Sequence, residues 1–148
     1  PFIQFDEPAL TAGKPDVKLA LEALGIATKG VKAKTAVYTY FGSLNGALEP
    51  LLRAKVDVIG VDVVSAPTLL ARVKRTKITK ELAIGCLDAR NTKLESVSAV
   101  QPIIRAVTRL MPSDRVYLNP NCGLEFLPHT QALAKVQRLV EAARAART

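Results

Sequence analysis

The chain contains no tryptophan, one histidine, one methionine and two cysteines, and aromatic residues make up 5% of it. Each scarcity excludes a class of chemistry. A single histidine, His129, cannot build a histidine-rich metal centre, and no strand end offers a cysteine nucleophile a histidine base. The two cysteines, Cys86 and Cys122, lie in different strand-like segments, and no CxxC occurs. A disulfide framework is therefore not expected, and a reducing compartment, the cytoplasm, is the expected location. No GxGxxG or GxxxxGK[ST] follows any strand-like segment, which argues against a dinucleotide or P-loop site. No run reaches the roughly 20 apolar residues of a membrane span, and no signal-peptide pattern opens the chain.

What is present is a globular composition: 148 residues, 49% apolar and 23% charged. That is enough chain for one domain with a core, spanning residues 1–148. The first residue is Pro1 rather than methionine and a strand begins at once, so the chain reads as an excised or processed piece. The net charge of +8 raises the possibility of nucleic-acid binding. Its distribution argues against it. Lys29, Lys32 and Lys34, and then Arg72, Lys74, Arg75, Lys77 and Lys80, follow helical segments and precede strands. Those positions lie opposite the ligand face of a parallel α/β protein and complement helix C-termini. No interleaved aromatics accompany them, so neither nucleic acid nor membrane is expected as a partner.

Five apolar segments read as strands: Phe2–Pro8, Thr35–Gly42, Val56–Val64, Leu82–Leu87 and Arg115–Leu118. They are apolar throughout rather than alternating, the mark of strands buried on both faces. Helical spacing follows each one. It places helices at Lys14–Leu24, after a capping Ser43, from Pro67, over Lys93–Leu110, and from His129 to Ala146. Pro102 implies either a kink in the fourth helix or its true first turn. The units repeat about every 28 residues, near the roughly 31 of an eight-unit barrel. The fold class is α/β, with parallel (βα) units forming a partial TIM barrel, about the last five units of eight. Five units leave two open edges, so the missing strands or a companion barrel are expected partners. A small open sheet is the alternative.

In such folds ligands sit at the C-terminal ends of strands. Collecting those positions gives Asp6 and Glu7, Tyr38 and Tyr40, Asp62, Asp88 and Arg90, then Asn119, Asn121 and Cys122. The last three come from Asn119-Pro-Asn-Cys-Gly123, a tail that cannot continue a strand because proline donates no hydrogen bond. Carboxylates, a guanidinium and a thiol on one face suggest a pocket for an amine or another polar substrate. The plainer alternatives are an internal ion pair between Arg90 and Asp88 or Asp62, and an inert Cys122 in an ordinary strand-to-helix turn.

Five stretches, Ile3-Gln-Phe-Asp-Glu-Pro-Ala-Leu10, Thr39-Tyr-Phe-Gly42, Val56-Asp-Val-Ile-Gly-Val-Asp62, Gly85-Cys-Leu-Asp-Ala-Arg-Asn91 and Asn119-Pro-Asn-Cys-Gly-Leu124, together resemble the cobalamin-independent methionine synthase family. The resemblance implies two related (βα)₈ barrels, with zinc and homocysteine bound in the catalytic one. It implies methyl transfer from a methyltetrahydropteroyl polyglutamate to the homocysteine sulfur, with zinc lowering the thiol pKa. The same resemblance places the family's His-x-Cys on Tyr38-Thr-Tyr40, its zinc-binding glutamate on Asp62 and its proton-donor histidine on Arg90. Its last zinc cysteine matches at Cys122 and its amine-binding aspartate at Asp6. Thr39-Tyr-Phe-Gly42 and Asp88-Ala-Arg-Asn91 look like the zinc-free N-terminal barrel instead. The expectation is thus a non-catalytic, folate-supporting barrel with no metal, with folate polyglutamate or homocysteine as ligand. A catalytic methyltransferase barrel with an atypical zinc and homocysteine site comes second, and a basic nucleic-acid-binding fragment third.

Overall fold

The computed structural model describes residues 1–44 and 46–146. Five strands, β1 (Phe2–Asp6), β2 (Lys34–Tyr38), β3 (Val58–Asp62), β4 (Glu81–Leu87) and β5 (Val116–Pro120), form one sheet. Every neighbouring pair is parallel, and the spatial order is the chain order, β1 to β5. This is the half-barrel that the repeat of (βα) units implied. The helices are α1 (Val17–Ala27), α2 (Leu48–Leu51), α3 (Pro67–Arg75), α4 (Val97–Thr108) and α5 (His129–Ala145).

The two faces of the sheet are built differently. Val37, Ile59, Val61, Leu82, Ile84 and Cys86 point toward the helices and join Leu48, Leu69, Val73, Ile104 and Leu139 in the main core. The other face carries Ala36, Tyr38, Val58 and Ala83, with Tyr40 and Tyr117 packed against them. This concave side needs small residues opposite large ones. A Cβ on Gly60 would lie 2.5 Å from Cγ of Tyr38, and one on Gly85 would lie 2.8 Å from the Cα of Asn121. At the N-terminal end of the concave face, the Lys34 ammonium donates to both Glu81 oxygens at 2.8 Å. The Tyr117 hydroxyl donates to the same carboxylate at 2.7 Å. Residues of β2, β4 and β5, each offset by two positions in register from the next, are thereby tied across the sheet.

Local chemistry moved several boundaries. α1 begins at Val17 rather than Lys14, because the Asp16 carboxylate accepts the Leu19 N–H at 2.9 Å, satisfying a donor that would otherwise be orphaned. Ser96 does the same for α4 through the Ala99 N–H at 3.2 Å. α4 therefore starts at Val97, and Pro102 lies inside the helix, not in its first turn. Ser43 is no cap: α2 is a single turn entered from Ala47 without a side-chain cap. β2 ends at Tyr38 rather than running to Gly42, because Phe41 turns into the left-handed region with φ of 66°. The basic clusters occupy the helix C-termini and the strand entrances, as their spacing implied; Arg72, Lys74 and Arg75 form the last turn of α3. No helix among the described residues is long and apolar enough to cross a membrane.

Candidate functional site

At the C-terminal end of the sheet lies a cavity of about 670 Å³, lined among others by Gln4, Asp6, Tyr40, Phe41, Arg90, Cys122 and Glu125. β1 supplies the first part. Gln4 and Asp6 share its concave face by the two-residue period of a strand. The Asp6 Oδ1 accepts from Gln4 Nε2 at 2.7 Å and from the Tyr40 hydroxyl at 2.8 Å, and Gln4 Nε2 also reaches that hydroxyl at 3.0 Å. The Tyr40 phenol is held protonated far above its usual range, first by burial and next by its bond to Asp6. The three side chains fix one another, and Oδ2 of Asp6, a residue that lines the cavity, has no hydrogen-bond partner among the described residues.

The β4 exit supplies Arg90. Its loop is anchored from three sides: Asp88 Oδ1 accepts the Arg90 N–H at 2.8 Å, Glu95 accepts the Asp88 N–H at 2.9 Å, and Asn121 Oδ1 accepts the Ala89 N–H at 2.8 Å. The guanidinium lies 5.6 Å from the centre of the Phe41 ring, a cation–π contact. The ion pair with Asp88 or Asp62, the plainer alternative, is not formed among the described residues. Asp88 spends its second oxygen on the Asn91 amide at 2.5 Å, and Asp62 is turned the other way.

Asp62 is 1% exposed. Its Oδ1 accepts the Val64 and Ser65 N–H groups at 3.0 and 2.8 Å, and its Oδ2 accepts the Phe41 N–H at 3.1 Å. A buried carboxylate persists where several donors compensate its lost hydration. Here the donors are backbone amides, and the bond to Phe41 holds a turn that a bulky residue otherwise avoids at a cost of roughly 1–2 kcal/mol. Asn121, also 1% exposed, bridges the same region, its Nδ2 lying 3.3 Å from Ser65 Oγ and 3.5 Å from Asp62 Oδ2.

Of the ten residues collected from strand ends, Asp6, Tyr40, Arg90 and Cys122 therefore share one cavity. The other six sit beside it in bonds to the scaffold or packed within it. Glu7 accepts the Ala9 N–H at 3.1 Å. Tyr38 packs over Gly60, and burial pushes its hydroxyl up to about 12. Asn119 donates to the Pro120 carbonyl at 2.7 Å while its Oδ1 is buried without a partner. Asp62, Asp88 and Asn121 hold the loops already described. Gln4, Phe41 and Glu125 were not foreseen. Gln4 was legible, two residues before Asp6 on one strand face; Phe41 was not, because only the folded turn aims its ring.

The donor set does not fit a zinc ion. Cys122 is the one sulfur ligand on this face, half-buried, and its thiol is pushed up, first by burial and then by the charges of Asp62 and Glu125. A nucleophilic thiol needs the opposite trend. Asp62 has both oxygens engaged, Tyr40 keeps its proton, and no three His, Cys, Asp or Glu side chains among the described residues are grouped to hold a metal.

Comparison with known proteins decides the kinship. A family model described as the catalytic domain of cobalamin-independent synthase matches residues 1–145. The chain belongs to the cobalamin-independent methionine synthase family. It is 34% identical over 146 residues to a methionine synthase of Saccharolobus solfataricus, a match covering 98% of this chain and 44% of that protein. A methionine synthase of Pyrococcus furiosus is 30% identical over 146 residues, covering 99% and 43%. The chain thus spans less than half the length of these relatives. Among solved structures, a B12-independent methionine synthase from Shewanella sp. W3-18-1, in complex with selenomethionine, superposes with a TM-score of 0.82. At 23% identity, over 99% of this chain and 48% of that one, that likeness speaks for the fold. The half-barrel is this family's barrel in part.

Proposed function

We propose that this member of the methionine synthase family acts as a non-catalytic barrel, one that binds folate polyglutamate or homocysteine at the strand ends and supports methyl transfer carried out elsewhere. The observation that carries this reading is the state of Cys122. The thiol stands without companion ligands, in surroundings that disfavour its thiolate. Asp62 and Tyr40, which lie where the family resemblance would put two of its ligands, are committed to the Phe41 turn and to Asp6. The Asp6, Gln4 and Tyr40 cluster remains built to receive a polar ligand.

A second reading, a catalytic methyltransferase barrel with an atypical site, is favoured by one observation: the matching family model is described as the catalytic domain. Metal analysis of the purified protein, with a Cys122→Ser control, separates the two. Sub-stoichiometric zinc, together with calorimetric binding of tetrahydropteroyl triglutamate or homocysteine, is the expected result. Stoichiometric zinc that is lost in Cys122→Ser would overturn the non-catalytic reading in favour of the second.

A further inference from the structure

We propose that Arg90, seated on the ring of Phe41, is the carboxylate-binding residue of the strand-end cavity, so that the cavity selects ligands bearing a free carboxylate. The inference rests on the reading of that cavity as a ligand site and deepens it by naming the chemistry the site selects.

Arg90 is a cation without a counter-ion. Among the described residues, the ion pairs join Lys34 to Glu81, Arg72 to Glu49, Lys135 to Glu95 and Arg138 to Glu141. Arg90 has none. Asp88, two residues before it, is spent on the Arg90 N–H and on Asn91. The other charged groups lining the cavity, Asp6 and Glu125, are not within ion-pair distance of it. The guanidinium is nevertheless placed. Its loop is tied down by Asp88, Glu95 and Asn121, and its central carbon lies over a ring held out by a left-handed residue. Phe41 is 53% exposed, so the ring hides little apolar surface of its own; what its strained turn achieves is a platform beneath the guanidinium. A guanidinium fork braced in this way matches a planar carboxylate, and its hydration is weaker than that of an ammonium. Oδ2 of Asp6 offers the same cavity an acceptor for an ammonium.

The shared chemistry is a carboxylate, and it can come from a free amino acid or from the glutamate chain of a pteridine. Two matched pairs distinguish these sources. Homocysteine is compared with 3-aminopropane-1-thiol, which keeps the amine and thiol but lacks the acid. Tetrahydropteroyl triglutamate is compared with tetrahydropteroyl amide, which lacks the glutamates and, unlike tetrahydropteroate, carries no free benzoate carboxylate. Titration calorimetry on the parent protein, Arg90→Gln and Phe41→Leu reads the affinities.

The expected result is that one pair shows a preference for its glutamate- or carboxylate-bearing member, which Arg90→Gln reduces tenfold or more. The member lacking that group should bind both proteins alike, and Phe41→Leu should give an intermediate loss. Equal loss for both members of the pair, no loss in Arg90→Gln, or no binding of any of the four compounds to the parent would overturn the proposal. Thermal melts of both variants accompany the titrations, because an exposed guanidinium without an ion pair should leave the fold intact on removal. Zinc content separates the two inferences: a zinc-loaded protein sinks the non-catalytic reading and leaves the Arg90 result standing.

Discussion

The Oδ2 atom of Asp62, at the end of β3, accepts the backbone N–H of Phe41 at 3.1 Å. One buried carboxylate thereby holds the only non-glycine residue with positive φ among those described, and with it the ring on which Arg90 rests. Backbone strain near a pocket persists where the surroundings over-determine it. Asp62 is the group that does so here.

Replacing Asp62 with alanine strands three backbone donors and should cost about 3 kcal/mol in urea unfolding, since bonds to charged acceptors contribute roughly 1.5–3 kcal/mol each and are not additive. Phe41→Gly should leave stability within about 1 kcal/mol of the parent, because glycine adopts this φ without strain. In the Phe41→Gly background the Asp62→Ala cost should shrink. Equal costs in both backgrounds would show that the carboxylate does not brace the turn.

Gly60 and Gly85 should respond differently to alanine. Both are crowded, but the obstacle at Gly60 is the Tyr38 ring, whereas at Gly85 it is the Asn121 backbone together with the Val61 carbonyl oxygen at 3.2 Å. Overpacking typically costs about 1–3 kcal/mol, and each single variant should fall in that range. Shortening Tyr38 to leucine should recover most of the Gly60→Ala loss. No side-chain change relieves Gly85→Ala, because backbone atoms of Asn121, just past β5, and of Val61 stand in the way.

Lys135 is 1% exposed, and its ammonium donates to the Lys93 carbonyl at 2.5 Å and to Glu95 at 3.1 Å. Glu95 in turn accepts the Asp88 N–H, so α5 reaches the Arg90 loop through two bonds. Lys135→Met keeps the stem's packing and removes the charge. Breaking a buried pair costs about 3–5 kcal/mol; with Glu95 partly exposed at 20%, about 2–3 kcal/mol is expected. A loss below about 1 kcal/mol in denaturant titration would mean that the pair is as weak as a surface one.

The two thiols should separate under a disulfide reagent. Cys86 is buried and its thiol is pushed up to about 12 by that burial, while Cys122 is half-buried at the cavity. One thiol should react in the native protein, none in the native Cys122→Ser variant, and two in denaturant. The Cys122 thiol is also raised, chiefly by burial, so its thiolate fraction at neutral pH is below that of a free cysteine. Its labelling rate should therefore keep climbing as pH passes the ordinary thiol range near 8.5, where a free thiol levels off. A plateau below pH 8 would contradict the raised value.

Much of the architecture was legible from the chain alone. Strand segments such as Val56–Val64 are apolar throughout, and their spacing of about 28 residues announces parallel (βα) units. Both faces are covered in β2 to β4, while β1 and β5, at the open edges, are exposed or half-buried. The Asn119-Pro-Asn-Cys-Gly123 tail was expected to end the strand, but β5 runs on through Asn119 and Pro120, which pair with Gly85 and Leu87; β5 is an edge strand, where proline's missing N–H is tolerated. Cys122, two residues further on, lines the cavity. The helix starts were set too early: Asp16 and Ser96 cap immediately before Val17 and Val97, the first apolar residues of each periodic stripe, and the residues before them stay outside the helix.

The division of labour among the polar residues was not legible. Asp6 and Asp62 look alike in sequence, each closing an apolar strand. Asp6 opens into a cavity with Tyr40, whereas Asp62 turns onto amides from two separate loops. Arg90, which the plainer alternative paired with an acid, lies over the Phe41 ring instead. Periodicity determines which residues reach the end of the sheet, because it depends only on the repeat of the backbone. Which of them meet ligand and which meet the protein's own backbone is decided by loop paths. Those depend on hydrogen bonds between segments far apart in the chain, and only the folded structure brings such segments together.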